Sequence, residues 1–387
     1  MNAAHAPEQL EKIDSAFSSL LEHIRNAFAA GNDRAAREMI PLAGDLIEFY
    51  QEAWGMNMNR AFGELLSALR QPADILMASA RVQAGRGCPG AARHLAEIAA
   101  GLSDDPRHRA MLYEFMRQAG EVEQSRMLSQ EMLRQTPASH AAMSELFMCD
   151  VAERFWKQDY YRFFSSIHTS CPPRTYIEIG VATGRSIALA RSGTHAIGID
   201  PALAESGGPL FHSPENTPHF YGMTSDDFFN SLDLQQEMGQ PCFDLAFIDG
   251  LHHFDQVLRD FINLERYAGE QSLIMIHDCL PIDPRVAERE RDTAFWTGDV
   301  WKIIPCLRAT RPDLEIITLP VPPAGLALVR RLNPSSTILR RQYRAVEEQF
   351  NALSLPQSWE ERCALLAVET SESSFHIENF LPKGGWQ

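Results

Sequence analysis

The chain has 387 residues, 45% of them hydrophobic, with a formal net charge of -16 and seven scattered cysteines. That length suggests two domains with sizeable cores. The acidic balance argues against gripping nucleic acid, which needs clustered Lys and Arg. An odd cysteine count without CxxC spacing points to a reduced, cytoplasmic setting, and no window nears the roughly 18 apolar residues of a membrane span.

The first segment, residues 1–165, reads as helical. "SAFSSLLEHIRNAFAAG" places Phe17, Leu20, Leu21, Ile24 and Phe28 at helix spacing, and "GDLIEFYQEAW" and "FGELLSALRQ" continue the rhythm. A weak repeat with an offset of 31 pairs Pro106 with Pro137, Leu112 with Met143 and Phe115 with Leu146. Stacked helix pairs have periods near ~34 residues, although most tetratricopeptide signature residues are missing here. This segment is expected to serve contacts or homo-oligomerisation rather than chemistry.

Pro172-Pro173 punctuates the chain, and the rhythm changes. "TYIEIG", "THAIGID", "HFYGM", "FDLAFID" and "SLIMIHD" are short apolar strands. Between them lie the predicted helices "GRSIALARSG", "DDFFNSLDLQQ" and "FDQVLRDFINLERYAG". Alternation of this kind indicates an α/β domain with a parallel sheet covered on both faces. "LEIITLPVPPAGLALVRR" adds two strands around a Pro-rich turn, suited to an antiparallel edge. From about Leu332 a tail follows, with one amphipathic helix in "STILRRQYRAVEEQFNAL".

The first strand runs into Glu178, Gly180 and Gly184, an ExGxxxG pattern. Gly180 permits a tight turn, and Gly184 is expected to open a helix whose free N–H groups face a polar ligand. Ala182 stands where a dinucleotide fold has its middle glycine, which disfavours a nicotinamide-dependent oxidoreductase. Asp200 ends the second strand, twenty residues after Gly180, the place from which an acid receives ribose hydroxyls. After the third strand, Asp226 or Asp227 either reaches an adenine amino group or caps a helix.

These strand ends resemble the class I S-adenosylmethionine-dependent methyltransferases, over roughly Arg174 to Arg330. The resemblance implies a Rossmann-like seven-stranded sheet with its last pair antiparallel, spanning 174–331 between the helical segment and the 332–387 tail. It also implies that Glu178, Gly180 and Gly184 surround the methionine part of S-adenosyl-L-methionine and that Asp200 holds its ribose.

The fourth and fifth strands end in Asp249 and Asp278. On neighbouring strands, about 4.8 Å apart, two such carboxylates are placed to share one cation. His252 and His253 follow Asp249 and precede a helix whose positive end disfavours imidazolium, so a histidine there is expected to stay neutral and accept a proton. His253 reads as a neighbour rather than a participant.

"IDGLHHFDQVLRD" and "MIHDC" resemble a narrower group, the metal-dependent sugar and macrolide O-methyltransferases, which also carry a helical N-terminal domain. That resemblance implies Asp249 and Asp278 as magnesium ligands and His252 as general base. Those enzymes have Glu where this chain has His277. Either His277 ligates and moves preference from magnesium toward manganese, iron or zinc, or it stays outside the ligand set. The expected activity is O-methylation of a hydroxyl on a sugar or other small natural product. The alternatives are a protein or peptide methyltransferase whose helical segment recruits the target, and a non-catalytic scaffold. "ERERDTAFWTGDVWKIIPCL" is expected to overhang the site, with Trp296 as a wall or sugar platform and Trp301 packed inward.

Overall fold

A computed structural model describes residues 72–203 and 216–386, together with His23 and Asn26. The helices expected across residues 15–71 therefore lie outside the described residues. The chain divides into two compact units, Met1–Cys149 and Asp150–Gln387.

In the first unit, α1 (Pro72–Gly85), α2 (Pro89–Gly101), α3 (Pro106–Gln118) and α4 (Val122–Gln135) follow one another, then α5 (His140–Arg154), within which the division falls. Proline opens α2 and α3 at positions where no helical N–H is needed, and the carboxylate of Asp105 accepts the Arg107 N–H at the start of α3. Ala-rich faces of α1 and α2 pack with Phe115 of α3 in one core; Tyr113, Met116, Met132 and Ala142 form another. The expected repeat aligns α3 with α5, but Pro106 is the first residue of α3 whereas Pro137 lies three residues ahead of α5.

The second unit starts with α6 (Tyr160–Ser170), capped by Asp159, whose carboxylate accepts the Arg162 N–H at 2.9 Å. Then come β1 (Thr175–Ile179), β2 (His195–Ile199), β3 (His219–Tyr221), α7 (Ser225–Ser231), α8 (Leu234–Met238), β4 (Phe243–Ile248), α9 (Phe254–Glu265) and β5 (Ala268–His277). They are followed by α10 (Ile303–Thr310), β6 (Glu315–Leu319), β7 (Leu326–Arg330), α11 (Ile338–Asn351) and α12 (Trp359–Leu365). Among the described residues the sheet has seven strands in the order β3-β2-β1-β4-β5-β7-β6. The first five are parallel, and β7 runs antiparallel between β5 and β6. This is the Rossmann-like seven-stranded sheet expected from the sequence, with its last pair antiparallel.

Burial explains the strands. β1 and β4 are buried at every position, as strands in a doubly covered parallel sheet are. One core joins Phe163, Phe164 and Ile167 of α6 to Tyr176, Leu245, Phe247 and Met275 of the sheet, and takes in Ile377, Leu381 and Trp386 from the tail. Because β7 is reversed, Leu326 at its start pairs with His277 at the end of β5. The turn before it lies beside the same edge: Leu280 N–H donates to Ala324 O at 2.8 Å. A Cβ on Gly325 would meet that of Leu280 at 2.4 Å.

Two predicted helices differ from expectation. "GRSIALARSG" yields only a 3-10 turn at Ile187–Leu189, because Ser186 turns its hydroxyl inward onto Glu178 and the chain must re-enter the sheet at His195. "DDFFNSLDLQQ" breaks into α7 and α8, because Asp233 leaves helical conformation to cap the second, accepting the Gln235 N–H. No helix among the described residues is long and apolar enough to cross a membrane.

Candidate active site at the carboxyl edge of the sheet

Ile179 pairs with Ile199 on one side and Ile248 on the other, and Ile248 pairs with Ile276. One residue further, Asp200, Gly180, Asp249 and His277 stand level across four neighbouring strands. Asp278 comes one residue later, in the left-handed region at φ 58°, a conformation that Asp adopts more readily than most residues.

The β1–β2 half is built on backbone contacts. Gly180 has φ 88°, and a Cβ there would lie 2.0 Å from the carbonyl oxygen of Asp249. Only glycine lets the two strand ends approach so closely. Gly184 also has positive φ, 83°, as does Ala182 at 46°. Asp200 holds this loop: one oxygen accepts the N–H groups of Val181 (3.0 Å) and Ala182 (2.8 Å), and the other accepts that of Ala202 at 2.8 Å. A carboxylate has about four lone-pair positions, so one is left for a further donor.

Glu178 is wholly buried beneath the loop. Its oxygens accept from Ser186 Oγ at 2.6 Å and Tyr176 OH at 2.5 Å. Burial pushes its carboxyl up to about 8, against the pull of those two hydroxyls. Asp226 is gripped by Arg259 (Nε to Oδ2, 3.1 Å). Asp227 sits in the cap of α7: Thr224 Oγ1 accepts its N–H at 3.1 Å and donates to its carboxylate at 2.7 Å.

The β4–β5 half is built on side chains. One ligand atom each from Asp249, His252 and Asp278 lies within 4.8 Å of the others. His252 Nε2 is 3.0 Å from Asp278 Oδ2 and 3.7 Å from Asp249 Oδ1. His277 falls outside that trio. Its Nδ1 lies between the carboxylates, 3.2 Å from Asp249 Oδ1 and 3.3 Å from Asp278 Oδ2, and its Nε2 is buried without a partner. His253 is the N-cap residue of α9 and makes no side-chain cap.

The electrostatics follow from this crowding. Burial works against a charge on His277, yet Asp278 and Asp249 outweigh it and hold the imidazole well above its usual range. His252 is raised for the same reasons. Burial also opposes the Asp278 carboxylate, and His277 with His252 more than offsets it, holding Asp278 below the usual carboxylate range. The helix start expected to keep His252 neutral is outweighed by two carboxylates, Asp278 at hydrogen-bonding distance and Asp249 slightly further away.

Trp296 is placed against His252, ring on ring with centroids 5.1 Å apart and 21° between planes, and its Nε1 donates to Glu288 O at 2.7 Å. Trp301 is packed inward, 2% exposed. A cavity of about 520 Å3 is lined by Arg289, Asp299, Trp301, Lys302 and Asn351, but by none of the Asp249, His252, Asp278 trio. Sequence reasoning overlooked Tyr160 of α6, whose ring lies 4.4 Å from that of His277. Burial, then the charge of Asp249, drives its phenol far above the usual range. The aromatic cluster "DYYRFF" just ahead of the first strand was its signal.

Residues 177–279 match the profile of a family described as a methyltransferase domain. No curated protein matches the chain. Among solved structures, it is similar to the O-methyltransferase TomG from Streptomyces achromogenes, in complex with SAM and involved in tomaymycin synthesis (16% identity, TM-score 0.31, 44% of this chain and 78% of that one). It is also similar to SAH-bound Podospora anserina methyltransferase PaMTH1 (16%, 0.34, 46% and 80%). A third likeness is to an O-methyltransferase from Bacillus cereus in complex with SAH (13%, 0.33, 54% and 98%). At that identity and score, none of them bears on what this chain binds or transfers.

Proposed function

We propose, from the premise that this chain carries a class I methyltransferase domain, that it transfers the methyl group of S-adenosyl-L-methionine to a hydroxyl of a small molecule, with a divalent cation at Asp249 and Asp278. The observation that carries this reading is the convergence of Asp249, His252 and Asp278 within 4.8 Å, level with the Gly180 turn.

The donor set fits such an ion. Two carboxylates supply the oxygen that hard magnesium or manganese prefers, and His252 is left outside the ligand set as the base. The His277 nitrogen shared by both carboxylates marks where positive charge is already called for. A bound divalent cation supplies Lewis acidity that makes an acceptor hydroxyl easier to deprotonate.

The chain's own groups do the rest. Asp200, with its remaining lone pair, receives a ribose hydroxyl, while Gly180 and Gly184 let the cofactor approach the backbone. With a cation drawing the charge of Asp249 and Asp278, His252 would give up the proton that those carboxylates hold on it and take the acceptor proton at Nε2, with Asp278, 3.0 Å away, stabilising the imidazolium. As the proton leaves, the acceptor oxygen forms its bond to the methyl carbon. The carbon–sulfur bond breaks with its electron pair going to sulfur, leaving neutral S-adenosylhomocysteine. Trp296 and Tyr160 border the site and exclude water. Sugars and related natural products are the acceptor class we favour, and the helical unit is assigned to assembly.

The test is formation of S-adenosylhomocysteine from S-adenosylmethionine over a panel of sugar and polyketide hydroxyls, before and after chelation. We expect turnover that chelator abolishes and that magnesium or manganese restores. Undiminished turnover after complete chelation removes the cation from the scheme. Absence of cofactor binding by calorimetry removes the function.

A further inference from the structure

We infer that the segment Trp296–Asp299 is the positioning element for His252, fixing which ring nitrogen faces Asp249 and Asp278; the inference rests on the role just proposed for His252. The histidine's own loop gives it little anchorage, since its neighbour Leu251 is 56% exposed. The restraint comes from a segment more than forty residues away.

Four contacts make the brace. His252 Nδ1 lies 3.3 Å from the carbonyl oxygen of Trp296. The Trp296 indole stacks on the imidazole. Asp299 N–H donates to the His252 carbonyl at 3.3 Å. Gly298 has φ 61°, and a Cβ there would lie 1.9 Å from the His252 carbonyl oxygen and 2.8 Å from its Cβ. The two backbones are thus packed to the point where position 298 admits only glycine.

The brace is itself anchored. Asp299 is 1% exposed, and its Oδ1 accepts the Phe254 N–H at 2.7 Å. It thereby caps α9 from 45 residues away, where His253 does not. Its other oxygen faces Lys302 Nζ at 3.2 Å and Arg289 at 3.6 Å. Arg289 also binds Asp255, in the first turn of α9, at 2.7 Å. The helix start, His252 and the segment over it are therefore one unit.

The chemical consequence lies in the ring. An imidazole that donates its Nδ1 proton to a carbonyl presents Nε2 to its other neighbour, and such a partner fixes both tautomer and ring plane. Here Nε2 is the atom facing Asp278 and Asp249.

The experiment uses the full chain with Gly298→Ala, Asp299→Asn and Asp299→Ala substitutions. For Gly298→Ala we expect a 10–100-fold loss in kcat, the range seen when an orienting partner is removed, with S-adenosylhomocysteine affinity within about twofold of the parent. In its crystal structure the imidazole should leave hydrogen-bonding reach of Asp278. Asp299→Asn keeps an acceptor for the Phe254 N–H and should retain most of the turnover that Asp299→Ala loses. An unmoved imidazole in Gly298→Ala, or parental kcat in that variant, overturns the brace. Should Gly298→Ala fail to fold, the Asp299 pair decides, and equal losses in the two overturn it. If the parent transfers methyl to no acceptor, the proposed function fails by itself, and the ring positions in the crystal structures still judge the brace.

Discussion

The two halves of the sheet edge solve the problem of buried acids in opposite ways. On the β1–β2 side, Asp200 is satisfied by backbone N–H groups and Glu178 by hydroxyls. Those donors carry no formal charge, so that side is held by hydrogen bonds rather than by ion pairs. On the β4–β5 side, Asp249 and Asp278 are satisfied by two imidazoles. There the geometry depends on protons that a cation can replace. One side is a fixed seat held by hydrogen bonds, and the other is a balance of charges.

The largest expected effects separate the halves. Asp249→Ala and Asp278→Asn should each lower turnover by at least ~100-fold, the scale of lost acid–base and charge assistance, while S-adenosylhomocysteine affinity stays within about twofold by calorimetry. Asn tolerates the left-handed backbone at 278, so the second variant isolates charge from conformation. Normal turnover in both would end the distinction. Gly180→Ala attacks the seam instead. A Cβ driven into the Asp249 carbonyl must move one strand end, so cofactor affinity and turnover should fall together and stability should drop by ~2 kcal/mol or more. A loss confined to one of the two measurements would show that the halves move independently.

A smaller effect tests the fixed seat. Burial raises Glu178 to about 8 and Asp260 of α9 to about 7. Both sit above their unfolded values, so the folded chain holds protons that the unfolded chain releases. That contribution to stability is present below about pH 4 and is lost as pH rises through 8. Denaturant titrations at pH 5 and pH 8 should therefore show a fall with pH, and Glu178→Gln should flatten it by more than ~1.4 kcal/mol. An unchanged slope in Glu178→Gln would mean that residue is charged when folded. The smallest effect is at α7. Thr224→Ala should cost about 1 kcal/mol of cap energy and leave S-adenosylhomocysteine affinity alone. A tenfold loss of that affinity in Asp227→Ala would return Asp227 to the cofactor and extend the fixed seat to the third strand.

Much of this architecture is legible in the sequence because parallel strands buried on both faces are predominantly apolar. Each of the strand segments read from that pattern is a strand, although β5 begins at Ala268, before the predicted "SLIMIHD". That Asp249 and Asp278 follow the ends of neighbouring strands is legible too. What escaped was set by contacts remote in sequence. The helix expected after Gly184 shrinks because Ser186 answers Glu178 across the loop. Asp226 turns to Arg259, which no local pattern announces. Asp299 caps a helix 45 residues upstream. Register decides the case of His277: the ladder puts it, and not Asp278, level with Asp249, and spacing within one strand gives no sign of that.

The reversed seventh strand has a consequence for redesign. A wholly parallel sheet would leave the far side of Asp278 to a crossover arriving from below. With β7 reversed, the short 320–325 turn stands beside the end of β5, tied in through Leu280 and Gly325. Val321 and Ala324 of that turn are fully buried and Pro320 O accepts the Trp156 N–H, so Pro322 and Pro323 are the positions open to exchange. Exchange of those two prolines, with Val321, Ala324 and Gly325 retained, would alter that edge without touching Asp249, His252 or Asp278.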